Sequence, residues 1–183
     1  MRPILFYTVG LPGAGKTTLA RGLAILLAAE HLRGDKIGIE LFRFPTYSPE
    51  ERRIVYQEMA NRAAEHLRAG RPVLYDAATN TAAQREQLAR LAAEAGGEAI
   101  GVWVHTQAPV AKKRAGQARD SGLAGAVVRV IPPHIFDQYA AAFEAPSAHE
   151  NIVELSGEAY FYLQYRRLAR QLRARGVRLP RLI

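Results

Sequence analysis

The chain has 183 residues, of which 49% are hydrophobic, and it contains no cysteine. This length suits a single domain with one core, and the lack of cysteine excludes disulfide scaffolds, thiolate zinc sites, iron–sulfur clusters and cysteine nucleophiles. The formal net charge is +8, and most of it comes from seven arginines that follow Glu158, the last acidic residue of the chain.

Short apolar runs alternate with helical stretches along the chain, which predicts a parallel β-sheet covered by helices. The predicted strands are residues 4–9, 36–41, 73–76, 99–105 and 152–155. The predicted helices are residues 17–29, 49–69 and 82–95, a short basic helix from Pro109, residues 132–143, and a basic C-terminal helix at 159–175. We expect a mobile lid at about 114–132, and a single domain over 1–183.

The most specific motif follows the first predicted strand. Residues 10–17 satisfy the phosphate-loop pattern G-x-x-x-x-G-K-[ST] and are followed by a predicted helix. Glycines let consecutive backbone amides curl around phosphates, while Lys16 would bind the terminal phosphates and Thr17 would hold Mg²⁺. The alternative is a glycine-rich helix cap. The predicted nucleotide-binding residues are Gly10, Leu11, Pro12, Gly13, Ala14, Gly15, Lys16, Thr17 and Thr18.

A phosphate loop alone does not separate kinases, motors and GTP switches. The guanine-specific elements N-K-x-D and T-K-x-D are absent from the sequence, which disfavours a GTPase. The chain also leaves little room for the helical subdomain of ring-forming motors. A small kinase is therefore the favoured interpretation.

A kinase needs a carboxylate near the acceptor, an acid near Mg²⁺ and cations that cover the transferred charge. Glu40 and Arg43, at the end of the predicted second strand, are candidates for the base and for acceptor contact, or form a surface ion pair. Asp76 ends the third strand in the manner of a Walker B aspartate, or caps the next helix. Arg114 and Arg119 flank the start of the glycine-containing loop, whose closure would bring them onto the phosphates, or are simply solvated.

In order, these motifs resemble the landmarks of the small zeta-toxin-like P-loop kinases. This group includes polynucleotide 5′-hydroxyl kinases and seryl-tRNA kinases, and many members are described as AAA-type ATP-binding proteins. The landmarks are residues 10–18, Glu40 with Arg43, the run 76–80 followed by Arg85, the stretch 114–119, and the run 143–147 with Glu150.

The resemblance implies a core like that of nucleoside monophosphate kinases, with strand order 2-3-1-4-5, ATP as donor and Mg²⁺ as cofactor. In this group the second strand usually ends in Asp-x-x-Arg, whose aspartate is the base, and here Glu40 would take its place. The resemblance also implies that Arg43, Asn80 and Arg85 contact the substrate.

The expected function is ATP-dependent phosphorylation of a hydroxyl on a small molecule or a nucleic acid. Two alternatives stay open: an ATP-binding switch that acts through a partner, and a kinase directed to RNA by its basic C-terminal helix. The apolar run Ile4–Val9 is too short for a signal peptide, and no run approaches the roughly 18 apolar residues of a membrane span. We therefore expect a cytoplasmic protein without membrane contact.

Overall fold

The computed structural model describes residues 2–42, 44–46, 48–117, 130–177 and 179. Within these residues, five parallel strands form one sheet in the order β2-β3-β1-β4-β5, and helices flank it. This confirms the predicted α/β fold of the P-loop NTPase type and the strand order that the resemblance implied. The strands are β1 (Ile4–Val9), β2 (Glu30–Arg33), β3 (Val73–Asp76), β4 (Glu98–His105) and β5 (Ile152–Ser156).

The helices lie between and after the strands. They are α1 (Lys16–Leu27), α2 (Gly34–Leu41), α3 (Pro49–Arg68), α4 (Ala82–Glu94), α5 (Ala108–Ala115), α6 (Pro133–Ala141) and α7 (Phe161–Ala174). The predicted helices are all present with ends that differ by one or two residues, whereas α2 was not predicted. In the described part of the chain, none of these helices has the length and apolar character of a membrane span.

Two layers of buried side chains lie on opposite faces of the sheet. On one face, Phe6 of β1 packs with Leu23 of α1 and Leu168 of α7. On the other face, Leu5 packs with Met59 of α3 and with α4. Since successive residues of a strand point to opposite faces, β1 is buried on both sides at the centre of the sheet. The loop that follows β1 is therefore held at the middle of the carboxyl edge.

The predicted second strand is wrong. Residues 36–41 belong to helix α2, and β2 lies earlier, where Glu30 pairs with Val73 and Arg33 pairs with Asp76 of β3. Helix α1 ends at Leu27, and its C-cap residue Ala28 has a left-handed φ of 47°, so the chain turns directly from α1 into β2.

The composition of this region explains the error. β2 is a four-residue edge strand with one apolar residue, Leu32, and therefore lacks the apolar run of a typical buried strand. Ile37, Ile39 and Leu41 alternate as in a strand, but only Ile37 is buried and Ile39 is exposed on the outer face of α2. The alternating apolar residues 37, 39 and 41 therefore belong to a short helix and not to the predicted strand.

The expected lid at 114–132 is only partly described, because residues 118–129 lie outside the described residues. Its beginning belongs to helix α5, which extends to Ala115. Its far end lies beside this helix, since the Ile131 amide donates a hydrogen bond of 2.9 Å to the Ala115 carbonyl and Phe136 of α6 packs against Ala111.

Candidate active site

The glycine loop between β1 and α1 has the conformation that phosphate binding requires. Gly10, Gly13 and Gly15 have φ values of 140°, 78° and 103°, in the region that favours glycine. A Cβ atom at Gly10 would lie 2.6 Å from the Val104 carbonyl oxygen, and one at Gly13 would lie 2.8 Å from the Ala115 amide nitrogen. The loop therefore tolerates no side chain at these glycines.

The start of α1 completes a site for an anion. Gly15 precedes the helix and supplies no side-chain cap for its first amides. Such amides lack partners within the helix, and they lie at the positive end of the helix dipole. Thr17 and Thr18 lie in this first turn. The loop and helix end together suit the terminal phosphates of a nucleotide.

Lys16 closes the loop from inside. Its Nζ donates hydrogen bonds of 2.7 Å to the Gly10 carbonyl and 2.9 Å to the Leu11 carbonyl. The ammonium itself is buried, although Lys16 as a whole is half-buried. This burial lowers the pKa of Lys16 to about 8, and the charge of Asp76 opposes the shift. A phosphate placed in the loop would supply the negative charge that this ammonium lacks.

Asp76 ends β3 beside the loop, as predicted, and its carboxylate is buried. Thr8 Oγ1 donates to Asp76 Oδ1 over 3.4 Å, and His31 Nε2 lies 3.2 Å from Asp76 Oδ2. Thr79 Oγ1 in turn donates to the Thr8 carbonyl over 2.6 Å. These contacts fix the orientation of the carboxylate at the sheet edge.

The residues present suit Mg²⁺. Thr17 and Asp76 offer hydroxyl and carboxylate oxygens to the same cavity, and these hard donors are the kind that Mg²⁺ prefers. Among the described residues there is no cluster of three or more histidine, aspartate or glutamate side chains that could hold a metal. A magnesium ion here would thus depend on phosphate oxygens and water for its remaining ligands.

Asp35 is the carboxylate that the sequence analysis missed. It directly follows Gly34 after β2, and the buried Arg33 holds it with two hydrogen bonds, Nε to Oδ1 over 3.0 Å and Nη2 to Oδ2 over 2.5 Å. The Lys36 amide adds a third at 2.8 Å. With the strand placed at Glu30–Arg33, an acid two residues after its end would have been recognised as a site residue.

Glu40, the predicted base, lies on α2 and not at a strand end. It pairs with Arg62 of α3 over 2.8 Å and lies 3.9 Å from Lys36, and it does not line the cavity described below. Asp35 is the acid that follows the observed second strand, and Gly38, three residues later, is not the arginine of the resembled Asp-x-x-Arg pattern. Arg43 lies outside the described residues.

Arg85 is buried, and its side chain connects two segments of the fold by hydrogen bonds. It donates to Glu150 with Nε over 2.5 Å and Nη2 over 3.0 Å, and with Nη1 to the Glu144 carbonyl over 3.0 Å. It does not line the cavity, whereas Asn80 does. The structure thus separates these two predicted substrate-binding residues: Arg85 joins α4 to the segment before β5, and Asn80 faces the site.

Replacing Arg85 by methionine is expected to lower the free energy of unfolding by about 3 kcal/mol, since Glu150 loses its buried partner. The Arg85 hydrogen bond holds the pKa of Glu150 below its usual range. The pair therefore stabilises the fold above the unfolded-state pKa of Glu150, and this stabilisation is lost as the pH falls through the folded-state pKa. Denaturant titrations at pH 7 and pH 3 would measure both effects.

Arg90→Met is the matched control, because Arg90 lies on the same helix in an exposed pair with Glu86 and should cost under about 0.5 kcal/mol. An Arg85→Met protein of normal stability that binds substrate poorly would restore Arg85 to the substrate site.

The two predicted lid arginines have different positions. Arg114 lies on α5, and its Nη1 donates 2.9 Å to the carbonyl of Gly157, the residue that follows β5. Gly157 packs against the phosphate loop, since its amide bonds the His105 carbonyl and a Cβ here would clash with Ala14. Arg114 is therefore next to the loop without lining the cavity. Arg119 lies outside the described residues.

A cavity of about 360 Å³ opens where the phosphate loop meets the ends of β2 and β3. Lys16, Thr17, Asp35 and Asp76 all line it. Ligands of open α/β sheets bind at this carboxyl edge. A phosphate site, a metal-compatible pair of oxygens and a second carboxylate thus face one open cavity.

The sequence matches the AAA domain family AAA_33 over residues 5–146. No curated protein matches the chain. Similar solved structures include an unliganded sugar kinase from a Janibacter species, with 18% identity, coverage of 93% of this chain and 95% of that chain, and a TM-score of 0.69.

Two further kinases have the same fold. A gluconokinase from Sinorhizobium meliloti has 16% identity, coverage of 96% and 99%, and a TM-score of 0.65. An APS kinase from Mycobacterium tuberculosis, solved with AMPPNP and APS, has 17% identity, coverage of 94% and 98%, and a TM-score of 0.66. At such identities the likeness shows the fold alone. Since the family match spans most of the chain, the protein belongs to this AAA domain family of P-loop kinase-like proteins.

Proposed function

We propose that this protein is a kinase that transfers the terminal phosphoryl group of ATP to a hydroxyl group of a small molecule. The observation that supports this most strongly is the shared cavity, in which Asp35 faces the same space as Lys16, Thr17 and Asp76. A nucleotide-binding switch needs the last three residues but has no use for a second carboxylate held by a buried arginine.

Each residue has a role that follows from its position. The loop amides and Lys16 bind the terminal phosphates and neutralise the charge that develops in transfer. Asp35 accepts a hydrogen bond from the acceptor hydroxyl, orients its oxygen and takes its proton. Thr17 and Asp76 would hold Mg²⁺, which when bound neutralises phosphate charge. Arg114 and Arg119 are proposed as further cations at the phosphates.

A second candidate, a kinase directed to RNA, has support from α7. The outer face of this helix exposes Arg166, Arg167 and Arg170, and the Arg166 guanidinium lies 5.5 Å from the centre of the exposed Tyr162 ring. Arginines beside an exposed aromatic ring suit nucleic acid. No observation connects this face with the cavity, so we favour a small acceptor.

Incubation with γ-labelled ATP and Mg²⁺ tests the proposal. The panel contains polyols, sugars, sugar acids, sugar phosphates, nucleosides, nucleotides, tRNA and an oligonucleotide with a free 5′-hydroxyl. We expect label on a small acceptor, because Asp35 and the phosphate loop share one cavity. Label on RNA alone would favour the second candidate, and release of free phosphate across the whole panel would favour a switch.

A further inference from the structure

The wall of the cavity that faces the phosphate loop is largely apolar. It is formed by α3 together with neighbouring segments, and it includes Phe42, Val55, Tyr56 and Tyr139. Burial raises the pKa of Tyr56, which keeps its phenol neutral. The polar groups on this side of the cavity are few, so their partners decide which acceptor fits.

Most charged groups of the cavity already have partners. Lys16 bonds two loop carbonyls, Asp35 is held by Arg33, and the carboxylate of Glu51 accepts a 2.7 Å hydrogen bond from the Thr46 amide. Asp76 likewise has its two contacts described above. These groups are engaged by the protein itself or belong to the phosphate end.

Arg52 is different. It lies on α3 one turn before Tyr56, it is exposed at the cavity, and its charge acts on the Tyr56 phenol. Within the described ranges, no carboxylate pairs with its guanidinium. The neighbouring Arg53, in contrast, is bound by Glu50 at 2.6 and 3.2 Å. The cavity therefore presents one positive charge without a negative partner from the described chain.

A second cavity of about 390 Å³ continues from the first, and Arg52, Tyr56 and Asn80 line both. Beyond this boundary, Thr81 and Gln84 bond each other's backbone amides in a capping box, so their side chains are occupied. The Asn80 side chain differs, because its buried Oδ1 atom has no hydrogen-bond partner among the described residues. The Arg52 guanidinium and the Asn80 Oδ1 atom thus lie where the two cavities meet, and neither has a partner among the described residues.

Asp35 of α2 and Arg52 of α3 face the same cavity. Gly38 of α2 also lines it and is buried, and a Cβ atom there would be in van der Waals contact with the Val55 side chain of α3, at 3.7 Å. A molecule that reaches from Asp35 to Arg52 would lie in this cavity.

From these observations we propose that the acceptor is an anionic hydroxy compound, whose carboxylate or phosphate binds Arg52 and whose reacting hydroxyl faces Asp35, while a second hydroxyl donates a hydrogen bond to Asn80 Oδ1. The inference rests on the proposed kinase function. Arg52 is a specificity-determining residue that contacts the non-reacting end of the acceptor. Its contribution is equal in the ground state and the transition state, so it acts on KM and not on kcat.

Acceptors paired by charge test this proposal. The pairs are an aldonic acid and its alditol, a sugar phosphate and its sugar, and a nucleoside monophosphate and its nucleoside, each with labelled ATP. We expect phosphorylation of a charged member with a KM at least roughly tenfold below that of its neutral partner, since a charge-assisted arginine contact is lost in the latter. The acid and phosphate pairs distinguish the two anions.

Arg52→Gln should raise the KM for the charged acceptor roughly tenfold or more, with kcat within about twofold and ATP affinity unchanged. Arg62→Gln, a control on the same helix that lines neither cavity and is bound by Glu40 and Glu58, should leave both constants unchanged. Equal use of neutral partners, equal effects of the two substitutions, or phosphorylation of an oligonucleotide alone would overturn the anionic acceptor. Label on no acceptor would instead reject the kinase function itself.

Discussion

Replacing Lys16 by methionine is expected to lower phosphoryl transfer roughly a thousandfold, which is the scale for losing one preorganised charge at a transferred phosphoryl group. The fold should persist, because the ammonium bonds only two loop carbonyls and pays a desolvation cost where it lies. Rates of transfer from labelled ATP, together with thermal unfolding of both proteins, would measure this. A variant with near-normal transfer would remove Lys16 from the site.

The same residue predicts a pH dependence. With a pKa of about 8 in the free protein, Lys16 loses its proton as the pH rises through that value. Phosphates stabilise the ammonium and raise its pKa, so binding of ATP above pH 8 should take up a proton, and affinity should fall up to tenfold per pH unit. The phosphate itself loses its last proton near pH 6 and adds nothing in this range.

Calorimetry at pH 8.5 in buffers of different ionisation enthalpy would count the protons taken up. Lys16→Met should abolish the uptake, whereas Lys36→Met, which changes an exposed lysine on α2, should preserve it. Uptake that survives in Lys16→Met would assign the proton to another group.

The phosphate loop could be predicted from sequence because its conformation is local. Gly10, Gly13 and Gly15 supply the left-handed φ values, and the apolar run before them can only be a buried strand. Asp76 could be predicted for a similar reason, since the four residues of β3 are all buried. In both cases the local sequence that forms the element is also the pattern that predicts it.

The proposed base, Asp35 after the second strand, could not be predicted in this way. β2 owes its existence to pairing with β3 and not to its own residues, of which Glu30 is exposed and Leu32 alone is apolar. Tertiary contacts override weak local preferences at such an edge strand. Placing this strand six residues too late moved the candidate from Asp35 to Glu40.

The proposed acceptor contact, Arg52, could not be predicted for another reason. Helix α3 was predicted almost to the residue, and Ser48 caps it by accepting from the Glu51 amide. Its sequence does not tell which of Arg52 and Arg53 faces a ligand, because both are exposed on the helix. Both line the second cavity, but only Arg52 also lines the first one, and only Arg53 is bound by Glu50.

Asp35→Asn is expected to suppress transfer to the acceptor by roughly 10³-fold, the usual contribution of a positioned general base, with little change in ATP affinity. The amide keeps an oxygen for Arg33 but loses the charge that accepts the hydroxyl proton. Because the buried Arg33 then lacks its counterion, unfolding should be measured alongside transfer. Slow hydrolysis of ATP should persist, since the phosphate loop is untouched.

Glu40→Gln is the matched test, because it removes a carboxylate five residues away whose partners, Lys36 and Arg62, are both on the surface of helices α2 and α3. Its stability should change by less than about 0.5 kcal/mol, and its rate of transfer by less than about twofold. If Glu40→Gln abolishes transfer and Asp35→Asn does not, the base is Glu40 and closure must bring it to the cavity. If each loses ATP affinity in proportion to transfer, neither carboxylate is the base.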